Sequence, residues 1–243
     1  MIDDAPTTLP SFADVAATID HSLLRPELTN VDIDNGCATA GKLAVASVCV
    51  RPLDVERAVR KLVDSAVRVG SVVGFPHGSA TTAIKVTETR QLLDAGATEI
   101  DMVLAIGRLR SGETRYVLDD IAAVVQEAAG RTVKVILETA YLDDEQKHAG
   151  CRLSEQAGAA FVKTSTGFAS AGATLADIRL MRSAVSDAIQ VKAAGGVRTL
   201  DVLLELLEAG ATRFGATATQ TILDDLGARH RGERLFIDAR DGY

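Results

Sequence analysis

Leu92-Leu93-Asp94-Ala95-Gly96-Ala97-Thr98 returns almost unchanged as Leu206-Leu207-Glu208-Ala209-Gly210-Ala211-Thr212, and Ala157-Gly158-Ala159 is a shorter third copy. Each reads as the end of a helix, a glycine suited to the C′ position, and the start of a strand. Five residues beyond these glycines stand Asp101, Lys163 and Gly215. Counted along the chain, those positions fall on the fourth, sixth and eighth strands. A layer inside an α/β barrel takes its side chains from alternate strands, so a matched register would give the three residues one layer and one facing. The alternative is that helix–glycine–strand joints converge in any α/β protein.

Working outward from these joints, short β-branched runs alternate with longer stretches of helical periodicity. The runs are 19–23, 45–50, 69–75, 99–104, 133–138, 161–164, 190–194 and 213–216. Several are nearly continuous in apolar residues, as suits a parallel sheet covered on both faces. The intervening helical stretches include 54–66, 82–93, 116–128, 175–186 and 200–207, with N-caps expected at Thr29 or Asn30, Thr174 and Thr199. Eight such units predict a single (β/α)8 barrel. An open doubly wound sheet is the rival, but no G-x-G-x-x-G follows an early strand. The expected division is a lead-in over residues 1–11, a barrel over 12–227 and a charge-rich tail over 228–243.

Composition agrees with one aliphatic domain. The chain has 243 residues, 47% hydrophobic and only 4% aromatic, with no Trp. The net charge of −7 argues against a nucleic-acid binder or an anionic-membrane binder. Three cysteines, Cys37, Cys49 and Cys151, have no metal-type spacing and read as reduced thiols, so a cytoplasmic location is expected. No apolar run reaches the ~18 residues of a membrane helix, and the N-terminal MIDDAPTTLP lacks the apolar region of a signal peptide.

Charge stands where core strands should be apolar: Phe161-Val162-Lys163-Thr164, Gln190-Val191-Lys192-Ala193 and Glu99-Ile100-Asp101-Met102. Lys and Asp are almost never fully buried unless paired. Strand alternation sends Lys163, Lys192 and Asp101 into the barrel, towards the end where barrel enzymes keep their active sites. A second ammonium beside Lys163 would lower its pKa and leave a neutral amine able to form a Schiff base with a carbonyl. Asp101 could then shuttle protons. A structural Lys–Asp–Lys network is the competing explanation. Glycine-rich turns follow the last three strands, at Thr166-Gly167, Gly195-Gly196-Val197-Arg198 and Gly215-Ala216-Thr217. Barrels often bind phosphate there.

These segments, with Ile19-Asp20-His21-Ser22-Leu23 and Ser47-Val48-Cys49-Val50, resemble the signature stretches of deoxyribose-phosphate aldolase. The resemblance runs from about Phe12 to Leu226. It implies a class I aldolase needing no metal or other cofactor. The implied reaction is reversible cleavage of 2-deoxy-D-ribose 5-phosphate to D-glyceraldehyde 3-phosphate and acetaldehyde. By the same resemblance Lys163 forms the Schiff base, and Lys192 lowers its pKa and assists proton transfer. Asp101 relays protons through water, and Asp20 lies near the hydroxyl-bearing carbons. Phosphate falls to Thr166, Gly167, Gly195, Gly196, Gly215, Ala216 and Thr217, with Arg198 in support. Two departures stand out. Phe168 occupies a place where some members carry Lys, and Ala218 follows Thr217 where many carry serine.

Other signals are weaker. The resemblance turns Cys49 to the pocket wall, where it could meet aldehydes or serve as a core thiol. His21, His77, His148 and His230 show no metal-ligand spacing. Tyr243 could swing its phenol over the barrel mouth as a proton donor, or simply fray. The partners implied are a phosphorylated sugar and aldehydes, with a homo-oligomer, most simply a dimer. The competing functions are a Schiff-base aldolase or transaldolase on another phosphosugar, and a non-catalytic sugar-phosphate binder.

Overall fold

Along the chain, helices and strands alternate almost without a break. They are α1 (Phe12–Ala16), β1 (Ile19–Leu23), α2 (Asn30–Leu43), β2 (Ser47–Val50), α3 (Val55–Lys61), β3 (Arg68–Val73), α4 (Thr82–Asp94), β4 (Glu99–Val103) and α5 (Ile106–Arg110). There follow α6 (Thr114–Glu127), β5 (Thr132–Ile136), α7 (Asp144–Gln156), β6 (Phe161–Lys163), α8 (Leu175–Ala184), β7 (Gln190–Ala194), α9 (Leu200–Glu208), β8 (Arg213–Ala216) and α10 (Thr219–His230). This computed structural model describes residues 9–233 and residue 235. The eight strands pair in parallel, each with the next, and β8 closes onto β1. The result is a (β/α)8 barrel, as the alternating pattern predicts.

Strand alternation separates two interiors. Val48, Ile100, Met102, Val133, Val135, Val162, Val191 and Phe214 face outward into a core shared with Ile33, Ile121, Ile178, Leu203 and Leu223 of the helices. Burial of each such side chain contributes about 1.5–3 kcal/mol, and this shell holds the helices on. The opposite parity points into the barrel and carries the charges. The helices start where caps allow: Thr29, Thr174 and Thr199 each accept a hydrogen bond from the backbone N–H three residues on. Each such cap contributes about 1 kcal/mol.

The three glycine joints share one geometry. Gly96, Gly158 and Gly210 have φ of 100°, 84° and 109°. In each, the next residue's N–H returns to the helix: Ala97 to Leu92, Ala159 to Ser154 and Ala211 to Leu206. One residue later the N–H bonds the preceding strand: Thr98 to Val69, Ala160 to Val133 and Thr212 to Val191. The register is therefore common to all three, and Asp101, Lys163 and Gly215 all face inward.

Boundaries differ from expectation at three kinds of place. The last helix runs through His230 rather than giving way to a tail at 228. Ala228 is fully buried, and Arg229 pairs with both Asp225 and Asp201, so the charged run is part of the packing. The third and fifth strands stop early because Gly74 and Glu138 take left-handed backbone at φ 61° and 56°. The predicted 54–66 helix is a short 3₁₀ turn, Pro52–Asp54, followed by α3 ending at Lys61.

Candidate active site

Inside the barrel, β1, β4, β5, β6, β7 and β8 contribute seven ionisable side chains to one contiguous cluster. Its carboxylates are Asp20, Glu99 and Asp101, and its bases are Lys134, Lys163, Lys192 and Arg213, all buried. Asp101 lies at the centre. Its Oδ2 accepts from Lys163 Nζ at 2.8 Å and from Lys192 Nζ at 2.8 Å, and its Oδ1 accepts from Lys134 Nζ at 2.9 Å. The two lysines on one oxygen are the paired residues of adjacent strands, Lys163 opposite Lys192. Asp20 accepts from Lys192 at 2.5 Å, Lys134 at 3.0 Å, Arg213 at 2.8 Å and the Ser47 hydroxyl at 2.6 Å. Glu99 closes the floor, holding Lys134 at 2.6 Å and Arg213 at 2.9 Å, while the more exposed Arg68 reaches it from below at 2.9 Å.

Four buried bases face three buried carboxylates, so the cluster is short by one negative charge. Charges in a low-dielectric interior need compensation, and the imbalance falls on the base with the fewest acidic neighbours. Of the three carboxylates, Lys163 forms an ion pair with Asp101 alone. Burial, reinforced by the Lys192 ammonium, pushes the Lys163 amine down against the pull of Asp101. Burial also opposes the charge on Lys192, but Asp101 and Asp20 outweigh it and its pKa rises. Burial works against Lys134 too, yet three carboxylates raise it well above the ordinary lysine value. Against the same burial, the lysines hold Asp101 well below the carboxylate range. The cluster thus sorts three lysines into one whose charge is disfavoured and two whose charge is favoured. Lys192 does depress Lys163, as expected from the pairing, but burial is the larger cause.

The cluster opens upward on a small cavity of about 70 Å³, walled by Asp20, Ser22, Leu24, Cys49, Lys163, Thr166, Gly167, Lys192, Ala194, Gly195 and Gly215. Beside it lies a wider cavity of about 380 Å³, lined by Gly167, Ala169–Gly172, Gly195, Gly196, Arg198, Thr199 and Val202. Gly167 and Gly195 belong to both. Gly195 must be glycine: its φ is 82°, and a Cβ there would stand 2.9 Å from the Gly172 Cα. The N-terminus of α9, capped by Thr199, opens on the wider cavity.

Most residues singled out from sequence converge here. Asp20, Cys49, Asp101, Lys163, Thr166, Gly167, Lys192, Gly195, Gly196, Arg198 and Gly215 belong to the cluster or line one of the two cavities. Ala216 turns its side chain into the outer core, and Thr217 is exposed and lines neither cavity. Burial, with Asp101 adding to it, pushes the Cys49 thiol up to about 11, so it is a protonated wall rather than a thiolate. Burial pushes His21 down to about 4, where its ring bonds the Thr219 hydroxyl outside the barrel. Tyr243 lies outside the described residues. Phe168, at the rim, meets Phe75 edge-to-face with ring centroids 5.3 Å apart. Among the described residues no cluster of three His, Cys, Asp or Glu could hold a metal ion, and no helix is long and apolar enough to cross a membrane.

Sequence reading missed Lys134, Glu99, Arg213 and Glu138. Lys134 carries the same signal as Lys163, a charge inside an apolar run, Val133-Lys134-Val135. Glu99 and Arg213 open their strands, where a charge looks like a solvated end.

Comparison with known proteins agrees with this geometry. The profile of the family described as DeoC/LacD family aldolase matches residues 14–224. Deoxyribose-phosphate aldolase of Staphylococcus epidermidis is 49% identical over 211 residues, covering 87% of this chain and 96% of its own. The enzyme of that name from Rhodospirillum rubrum is 48% identical over 238 residues, 97% of this chain and 98% of its own. The solved structure of deoxyribose phosphate aldolase from Aeropyrum pernix, described as a tetramer, superposes with a TM-score of 0.84 at 30% identity, over 90% of this chain and 93% of that one. With the lysine cluster and the barrel in hand, these matches place the chain in the DeoC/LacD family of aldolases, among its deoxyribose-phosphate aldolases.

Proposed function

We propose that Lys163 is the Schiff-base lysine of an aldolase that reversibly cleaves 2-deoxy-D-ribose 5-phosphate to D-glyceraldehyde 3-phosphate and acetaldehyde. The observation that carries this reading is the charge imbalance of the buried cluster. It leaves Lys163, alone of the three inward lysines, with a disfavoured ammonium at the wall of a cavity. A neutral Lys163 Nζ adds to the C1 aldehyde of the open-chain sugar, giving a carbinolamine. Lys192, held protonated, and Asp101, which shares its oxygen between both lysines, move the protons that turn the hydroxyl into leaving water. The resulting iminium accepts the electron pair of the C2–C3 bond as it breaks. The C3 hydroxyl gives up its proton, and D-glyceraldehyde 3-phosphate departs. Protonation of the enamine at C2 and hydrolysis of the iminium release acetaldehyde and restore the amine. The iminium is the electron sink, so the chemistry calls for no metal or organic cofactor.

Asp20, between Lys192 and Arg213, is placed towards the hydroxyl-bearing carbons. The wider cavity, with Gly167, Gly195, Gly196, Arg198 and the N-terminus of α9, suits the phosphate, because helix N-termini and glycine turns favour anions. Three buried free thiols fit a reducing, cytoplasmic setting. A homo-oligomer, with a dimer as its simplest unit, accords with the tetramer described for the Aeropyrum pernix relative. Sedimentation velocity reads this directly, a monomer at micromolar concentration overturning it.

Borohydride trapping with 2-deoxyribose 5-phosphate, followed by peptide mapping, tests the mechanism. A reduced substrate adduct confined to the Lys163 peptide, and absent from Lys163→Ala, is expected. An adduct on Lys134 or Lys192 would move the nucleophile. No adduct despite binding of the sugar phosphate would make the barrel a binder rather than an aldolase.

A further inference from the structure

The turn that follows Lys163 is gripped by a side chain from the segment just past the neighbouring strand. The main chain just past β5 is stitched to the end of β6 and the residue beyond it, on both sides of Glu138: Leu137 N–H donates to the Lys163 carbonyl at 2.9 Å, and Thr139 N–H to the Thr164 carbonyl at 3.0 Å. Between these bonds Glu138 leaves the extended conformation for φ 56°, ψ 64°, a region that costs a non-glycine residue free energy. Its carboxyl is buried, with only 2% of the residue exposed. A buried carboxylate on strained backbone persists only where hydrogen bonds compensate it. Here a single residue, Thr166, holds the carboxylate. Thr166 N–H donates to both carboxylate oxygens at 3.2 and 3.3 Å, and the Thr166 hydroxyl donates to Oε2. That hydroxyl in turn accepts from Phe168 N–H at 3.0 Å. The clamp therefore sets the backbone on either side of Gly167, which with Gly195 walls both cavities and sits at φ 88°.

We propose that Glu138 is a positioning residue for the phosphate end of the substrate, acting through Thr166 to hold Gly167 and its turn against the wider cavity. This rests on the substrate reading given above. It also changes the part expected of Thr166: with its N–H and hydroxyl both committed to Glu138, it shapes the turn rather than donating to the anion.

The test compares kcat/KM for 2-deoxyribose 5-phosphate with kcat/KM for unphosphorylated 2-deoxyribose in the native protein, Glu138→Gln and Thr166→Val. Gln keeps the shape but offers one acceptor oxygen where Glu offers two. The preference for the phosphorylated sugar is expected to fall about tenfold in Glu138→Gln and in Thr166→Val, the scale of one lost charge-assisted hydrogen bond. A merely structural Glu138 would lower both sugars alike, and an unchanged ratio overturns the proposal. Should Glu138→Gln not fold, Thr166→Val decides by the same ratio. If the native protein cleaves neither sugar, the substrate reading fails on its own, and calorimetric titration with inorganic phosphate takes over. Weaker binding by about tenfold in Glu138→Gln supports the clamp. Equal binding, or none by the native protein, overturns it.

Discussion

Two buried lysines in this molecule face opposite fates. Lys85 of α4 is fully enclosed in the helical layer. Its Nζ meets Asp120 of α6 at 2.6 Å and the Val103 carbonyl at 2.9 Å, and Asp120 is further held by the Thr82 hydroxyl. One base meets one acid, no cavity adjoins it among those described, and the pair ties two helices together. Lys163 is almost as buried, but it shares its single carboxylate with two other lysines and borders an open space. Burial alone thus says little about function. What separates a rivet from a nucleophile is the local charge balance and the presence of room for a substrate.

Three measurements sharpen or break that contrast. The largest effect is expected from Lys192→Met, which takes away the proposed proton donor and one of the two influences depressing Lys163. Turnover should fall about 10²–10⁴-fold, the usual scale for a general acid–base group. The sign of the pH effect follows from the nucleophile being the neutral amine. Without the neighbouring ammonium the Lys163 pKa rises, so the acidic limb of kcat/KM moves to higher pH. A limb that stays put, or moves down, would remove Lys192 from the tuning. Next comes Lys85→Met, which leaves the Asp120 carboxylate buried without its base. Chemical denaturation should show a loss of about 3–5 kcal/mol, with turnover per folded molecule retained. The smallest shift belongs to Lys163→Met, which balances the cluster at three bases to three acids. Its stability should change by no more than about 1 kcal/mol and in the upward direction. If Lys85→Met and Lys163→Met lose stability equally, the charge-balance distinction is wrong.

How far the sequence displayed all this depends on the kind of interaction involved. The eight strands were readable because each is an apolar run in a charged chain, and the glycine joints repeat down to their hydrogen bonds. Lys163, Lys192 and Asp101 were readable because charge in such a run has to be explained. Lys134 offered the same cue and was passed over, although it is the hub between Asp20, Glu99 and Asp101. Glu99, Arg213 and Glu138 offered no such cue, since a charge at a strand end reads as solvated until the barrel closes over it. The helices α1 and α5 are too short, at five residues each, for periodicity to reveal. The clamp of Glu138 on Thr166 joins residues 28 apart through a left-handed turn that no local pattern announces.

The inward facing of the charges also bears on how the barrel assembles. Side chains alternate strictly along a strand, so a slip of one residue exchanges its two faces. If β5 slipped by one position, Lys134 would enter the apolar layer beside the helices, and valines would stand among three carboxylates. The same holds for β1, β4, β6, β7 and β8, each of which brings at least one inward ion to the cluster. A purely aliphatic barrel could trade one misaligned closure for another at little energetic difference. Here each one-residue error strands an ion in oil, so the groups proposed for catalysis also proofread the closing of the sheet.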